Sequence, residues 1–235
     1  MKKRAIVAES ARPAKEAPLP DVRSAPHPLV GASFVIGAAQ ASQLPAEGEP
    51  EVAFAGRSNA GKSSAINALA NHSRLAFSSR TPGRTQQINL FALRGGGLIA
   101  DLPGYGYAAV SKSLKRTWQE FLWHYMTTRQ SLVALVLLVD ARHGLNDLDL
   151  GVLAEFVPSG RPVLILATKA DKLGTSAQRE ARAAIGAQLR DAFPIGAPNV
   201  DVLLFSATTR QGVEEAETTI ATWLPDKKRP RGQGE

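Results

Sequence analysis

Gly56-Arg57-Ser58-Asn59-Ala60-Gly61-Lys62-Ser63 has the spacing G-x-x-x-x-G-K-S, which suits the binding of nucleotide phosphates. Gly56 and Gly61 lack a Cβ, so backbone N–H groups can turn inward and approach phosphate oxygens. Lys62 brings a positive charge to the outer phosphates. The Ser63 hydroxyl is placed to ligate Mg²⁺, and a helix beginning here favours an anion at its N-terminus. The flanks have the character this chemistry needs. Val52-Ala53-Phe54-Ala55 reads as a buried strand, and residues 64–70 read as the start of a helix.

Four further segments are expected to meet this loop at the carboxyl ends of the strands, where ligands bind in doubly wound sheets. Asp101-Leu102-Pro103-Gly104 ends a strand. Its carboxylate can hold Mg²⁺ through water, and the Gly104 N–H can contact a γ-phosphate. Thr81-Pro82-Gly83-Arg84-Thr85 lies in a polar loop, and either threonine can offer a second hydroxyl to the metal. In Thr168-Lys169-Ala170-Asp171, a carboxylate can accept from guanine N1–H and its exocyclic amine, and the lysine stem can lie over the base or the loop. In Phe205-Ser206-Ala207, backbone N–H groups can meet guanine O6.

The elements that must position these groups follow from the apolar pattern. Residues 32–37 suit an edge strand, and residues 38–44 suit a short helical turn stopped by Pro45. Residues 87–93 and 98–100 form a hairpin around Gly95-Gly96-Gly97. Residues 112–130 form a helix with Leu114, Trp118, Phe121, Leu122 and Tyr125 on one face. Strands at 132–139, 163–167 and 202–205 then alternate with helices at 147–156, 176–193 and 213–223. The expectation is an α/β domain with a mixed, mostly parallel six-stranded sheet, one antiparallel pair and helices on both faces.

The chain has 235 residues, no cysteine and a net charge of +7. Disulfides and cysteine-based metal chemistry are excluded. Residues 1–23 and 226–235 hold three and two of the seven excess charges, which suits tails that touch a polyanion such as RNA and equally tails that serve solubility. The expected organisation is a disordered basic tail at 1–28, a domain at 29–224 and a disordered basic tail at 225–235. Charges at Glu9, Arg12, Lys15 and Glu16 interrupt any signal-peptide core, and no run is long enough to span a membrane. The chain reads as a cytoplasmic monomer.

The strings G-R-S-N-A-G-K-S-S, T-P-G-R-T, D-L-P-G-Y-G-Y-A, T-K-A-D and F-S-A, in this order between Phe34 and Trp223, resemble the EngB (YihA/YsxC) family of bacterial GTPases, of the translation-factor-like class. The resemblance implies a Ras-like domain that binds GTP with Mg²⁺ and assists assembly of the large ribosomal subunit. It also implies a need for the protein in septation at cell division. By the same resemblance, the switch segment is Gly83, Arg84, Thr85, Gln86 and Gln87, and the metal ligands are Ser63 and Thr85. Thr168 stands where most GTPases have Asn, so fewer contacts to base and loop are expected.

The catalytic set implied is Lys62, Thr85 and Asn59. Ras-type enzymes place a glutamine after D-x-x-G to orient the attacking water; here that residue is Tyr105, so slow intrinsic hydrolysis is expected. Asn59 is a candidate to hold K⁺ against the phosphates. Trp123 near Arg116 and Gln119 suits packing against a neighbouring loop or, as the lesser alternative, stacking on an RNA base. His124 and His143 have no partner at metal-ligand spacing. Two other function classes compete: a P-loop ATPase or kinase, which Thr168 to Asp171 disfavours, and an RNA-binding module with a structural nucleotide site.

Overall fold

The computed structural model describes residues 29–76, 87–106 and 112–225, without the side chains of 112–119. The central strand, β2 (Glu51–Gly56), is buried at all six positions, as expected of a strand covered on both faces. It pairs in parallel with β4 (Leu98–Asp101) on one side and β5 (Leu132–Asp140) on the other. β6 (Val163–Thr168) and β7 (Val200–Leu204) continue the parallel half. β3 (Ile88–Ala92) pairs antiparallel with β4, and β1 (Ser33–Ala38) pairs antiparallel with β3.

The order is therefore β1-β3-β4-β2-β5-β6-β7. The sheet has seven strands rather than the expected six, and two antiparallel pairs rather than one. Both corrections come from β1, which joins the sheet fully. Its register slips between Phe34 and Ile36, and this bulge blurs the alternation that would mark it as a strand.

Strand side chains alternate between two cores. Val52, Phe54, Val136, Leu138 and Leu166 join Ile66 and Leu69 of α1 (Lys62–Leu69) and Ala216 and Ile220 of α5 (Val213–Ala221). Ala53, Ala55, Leu135, Leu137 and Ile165 face the other side. There they meet Tyr125 and Met126 of α2 (Lys112–Thr128), Leu153 and Phe156 of α3 (Asp147–Phe156), and Ile185 and Leu189 of α4 (Thr175–Ala192). Helices thus cover both faces, and the short turn before β2 is a 3₁₀ turn at Ala41–Gln43.

Candidate nucleotide site

The carboxyl ends of β2, β4, β5 and β6 all open onto one edge of the sheet. At β2 the chain leaves the strand, loops and enters α1 through Gly61, whose φ of +91° suits glycine. Asn59 is also left-handed, at φ +68°, a conformation that asparagine tolerates better than most side chains. Lys62 pairs with the Asp101 carboxylate. Both side chains are largely shielded, at 12% and 7% exposure.

The segment after Asp101 is laid directly on the phosphate loop. The Leu102 N–H donates to the Phe54 carbonyl at 3.0 Å, and the Ser58 N–H donates to the Tyr105 carbonyl at 3.1 Å. Pro103 and Gly104 are half-buried. A Cβ at Gly104 would sit 3.0 Å from Ser58 Oγ and 3.1 Å from its backbone nitrogen, so a larger residue would have to push the loop away by a few tenths of an ångström. The Tyr105 phenol turns away toward α3, where it donates to Asp149 Oδ1 at 2.6 Å. Burial pushes the Tyr105 hydroxyl well above the usual tyrosine range, with the neighbouring Asp149 adding to it. Asp149 belongs to a capping box with Asn146, and its own carboxyl is raised by burial.

The base-side residues come together as well. The Ser206 hydroxyl donates to Asp171 Oδ1 at 2.6 Å, and Lys172 pairs with Oδ2 at 3.3 Å. The hydrogen bond from Ser206, then Lys172, holds the Asp171 carboxyl below its ordinary range. The Ala170 N–H donates to the Phe205 carbonyl at 3.1 Å, which ties the two segments together. Phe205 N–H is engaged by Ala167 and Ser206 N–H by Gln211. They are therefore not free to meet guanine O6 as expected. Among the described residues, Ala207 is the member of the three whose N–H has no protein partner.

Thr168 also departs from expectation. Its hydroxyl is 2.6 Å from the Ala60 carbonyl and 3.1 Å from that of Val139. A hydroxyl has one hydrogen to donate, and the shorter contact gives it to the phosphate loop. The contact to the loop is thus kept despite the missing amide. Lys169 is left-handed at φ +58° and donates to the Asn59 carbonyl at 2.7 Å.

Arg57, Ser58, Asn59 and Ala60 line one wall of an open cavity of about 240 Å³, with Asp140, Arg142, His143, Gly144, Asp149 and Lys169 among its other walls. Lys62, Ser63, Asp101 and Asp171 do not line it, so it lies beside the cradle that those residues form.

Gly83, Arg84, Thr85 and Gln86 lie outside the described residues, as do Thr81 and the side chain of Trp118. Gln87 is exposed and leads into β3. Trp123 is 41% exposed, whereas Tyr125 is buried. Among the described residues no cluster of His, Cys, Asp or Glu is arranged to hold a metal. The donors at hand, the Ser63 hydroxyl at the start of α1 and the Asp101 carboxylate, suit a hard cation that keeps several waters, as Mg²⁺ does.

Sequence reasoning missed Asp140 and Arg142. Asp140 ends the apolar run of β5 as Asp101 ends β4, and that parallel was the available signal. The contact from Tyr105 to Asp149 spans 44 residues and had no local sign.

Residues 51–169 match the model of a family described as 50S ribosome-binding GTPase. The probable GTP-binding protein EngB of Azoarcus sp. (strain BH72) is 50% identical over 193 residues, spanning 82% of this chain and 91% of its own. The chain belongs to the EngB family. A solved structure of a probable GTP-binding protein EngB superposes with a TM-score of 0.55 at 20% identity, over 72% of this chain and 96% of its own. Aquifex aeolicus Era bound to GDP.AlF4⁻ superposes with a TM-score of 0.58 at 20% identity, over 77% of this chain and 60% of its own. The fold is accordingly the Ras-like P-loop GTPase fold, and among the described residues the phosphate loop, D-L-P-G, T-K-A-D and F-S-A lie along one edge of it.

Proposed function

We propose that this chain is a GTP-driven switch that acts on the large ribosomal subunit during its assembly. As a member of a GTPase family, it hydrolyses GTP to GDP and phosphate. The reading is carried by one juxtaposition. Lys62, Asp101 and the phosphate loop share a sheet edge with Asp171 and Ser206, so phosphate-binding and guanine-reading groups face a single ligand.

In this reading Lys62 and the N–H groups of Asn59, Gly61, Lys62 and Ser63 hold the phosphates, those of Ser58 and Ala60 being taken by Tyr105 and Arg57. Asp171 accepts from guanine, its carboxylate oriented by Ser206. Ser63 and Thr85 hold Mg²⁺, with Asp101 acting through water. When bound, the metal neutralises charge that develops on the phosphates. Tyr105 is tied to Asp149 and cannot orient a water as glutamine does, which supports slow hydrolysis until a partner acts. Asn59 is the proposed K⁺ ligand.

The ribosomal reading draws support from the name of the matching family model and from the basic tails at 1–28 and 225–235. A role in septation and a cytoplasmic, monomeric state belong to the same proposal; no helix among the described residues is long and apolar enough to cross a membrane. Sedimentation with ribosomal subunits tests it. The protein loaded with a non-hydrolysable GTP analogue should travel with the large subunit, and the GDP-loaded protein should not. Equal sedimentation in the two states refutes the switch.

A further inference from the structure

The carboxylate of Asp140 is the junction of a chain of contacts that ends in the phosphate loop. Strand pairing sets it opposite Thr168, at the start of the base-reading segment. Its Oδ2 accepts from Lys169 Nζ at 3.0 Å and from an Arg142 terminal nitrogen at 2.7 Å. Its Oδ1 accepts from Arg142 Nε at 2.9 Å and from the Arg142 backbone N–H at 3.1 Å. Lys169 Nζ also reaches the Asn59 carbonyl at 2.7 Å. The Asp140 side chain is 12% exposed, against 32% for Lys169 and 42% for Arg142, so the carboxylate is the sheltered centre of the group.

Asn59 and Lys169 are non-glycine residues in left-handed backbone, which is disfavoured for L residues and persists where surroundings hold it. One ammonium spans the two. An ammonium on a four-carbon stem has no fixed direction of its own. It is held in place here by two acceptors, the Asn59 carbonyl and the Asp140 carboxylate. The planar fork of Arg142 grips both oxygens of Asp140 and sets the carboxylate plane so that Oδ2 faces Lys169.

We propose that Asp140 is a positioning residue of the nucleotide site: by orienting Lys169, it holds the phosphate loop at Asn59 against the base-reading turn and so sets nucleotide residence time. The proposal rests on the GTP-binding reading. Asp140 touches no ligand in this scheme and acts through Lys169. Arg142 acts one step further out.

The test is the release rate of fluorescently labelled GDP in Mg²⁺, measured with the melting temperature of each variant. Asp140→Ala is expected to release GDP on the order of tenfold faster, the scale of one charge-assisted hydrogen bond. Asp140→Asn keeps a neutral acceptor for Lys169 and should fall between this and the native rate; it serves if the alanine variant does not fold. Arg142→Ala should give a smaller acceleration. In a Lys169→Ala background, Asp140→Ala should add nothing, because the two residues act as a unit. Native release rates in both Asp140 variants overturn the proposal. So does a lowered melting temperature with unchanged release, and so do effects that multiply in the double variant. Native protein that retains no labelled GDP refutes the GTP reading itself and the proposal with it.

Discussion

The two ends of β2 handle buried charge in opposite ways. At its start, Glu51 is fully buried, and its carboxylate accepts from the Tyr125 hydroxyl at 2.6 Å and from Arg129 at 2.5, 3.1 and 3.2 Å. Arg129 also donates to the Pro45 carbonyl at 3.0 Å. Each oxygen has a partner from the chain, so nothing is offered outward. At its end, the strand opens into left-handed backbone at Asn59 and Gly61 and a lysine on Asp101. Each end orders a carboxylate with a cation. The first network is closed and serves stability. The second opens at the sheet edge, where the proposed nucleotide would bind.

The largest expected break in this comparison is at the open end. Asp171→Asn replaces an acceptor-only carboxylate with an amide that also donates. Preference should move from GDP to XDP, with a discrimination on the order of 10⁴-fold at stake, as for sites built around specific donors. Titration of both proteins with labelled GDP and XDP checks this; a variant that keeps the native preference refutes the guanine assignment.

At the closed end the response should be the reverse. Arg129→Met leaves the Glu51 carboxylate buried beside Tyr125 alone. Breaking a buried pair from one side costs about 3–5 kcal/mol. Denaturant unfolding should register that loss while GDP affinity stays native. A fall in affinity comparable to the loss of stability would erase the distinction between the ends.

Tyr105→Phe probes the boundary between the two behaviours. The ring stays, but Asp149 Oδ1 loses its donor, at a cost of about 1–3 kcal/mol for a buried acceptor. Basal GTP turnover should stay within about twofold of native, because the phenol faces α3 rather than the phosphates. Steady-state phosphate release measures this, and a large loss of turnover would add Tyr105 to the catalytic set.

The smallest effect is on acid stability. Arg142, then Lys169, holds the Asp140 carboxyl well below the usual carboxylate range. The folded protein therefore binds that proton less readily than the unfolded chain. Its stabilising share is full above the ordinary aspartate range and is lost as pH falls through and below that range. Asp140→Asn should flatten the acid limb of the melting temperature against pH. An unchanged limb shows that the pairing adds nothing to folding.

Much of the candidate site was legible because it is built from short, contiguous strings. G-R-S-N-A-G-K-S, D-L-P-G and T-K-A-D each act through backbone geometry and adjacent side chains, and local spacing carries that information. Val163–Thr168 and Leu132–Asp140 were legible as strands because fully buried strands are nearly continuous apolar runs. β1 was less so, since half of it is exposed and its bulge breaks the period of two.

Other features depend on segments far apart in the chain. The Thr168 hydroxyl meets Ala60 across 108 residues, and Lys169 meets Asn59 across 110. That Tyr105 replaces a water-orienting glutamine is read from its position alone; only the packing of α3 beside the D-L-P-G segment turns it toward Asp149. Which N–H of Phe205-Ser206-Ala207 is left for a ligand depends on Ala167 and Gln211 taking the other two. The residue types laid down which chemistry is possible, because donors, acceptors and charges belong to the side chains. Which of those groups are used up inside the protein, and which remain for a ligand, was set by the parallel strand order that brings the carboxyl ends of β4, β2, β5, β6 and β7 to one edge.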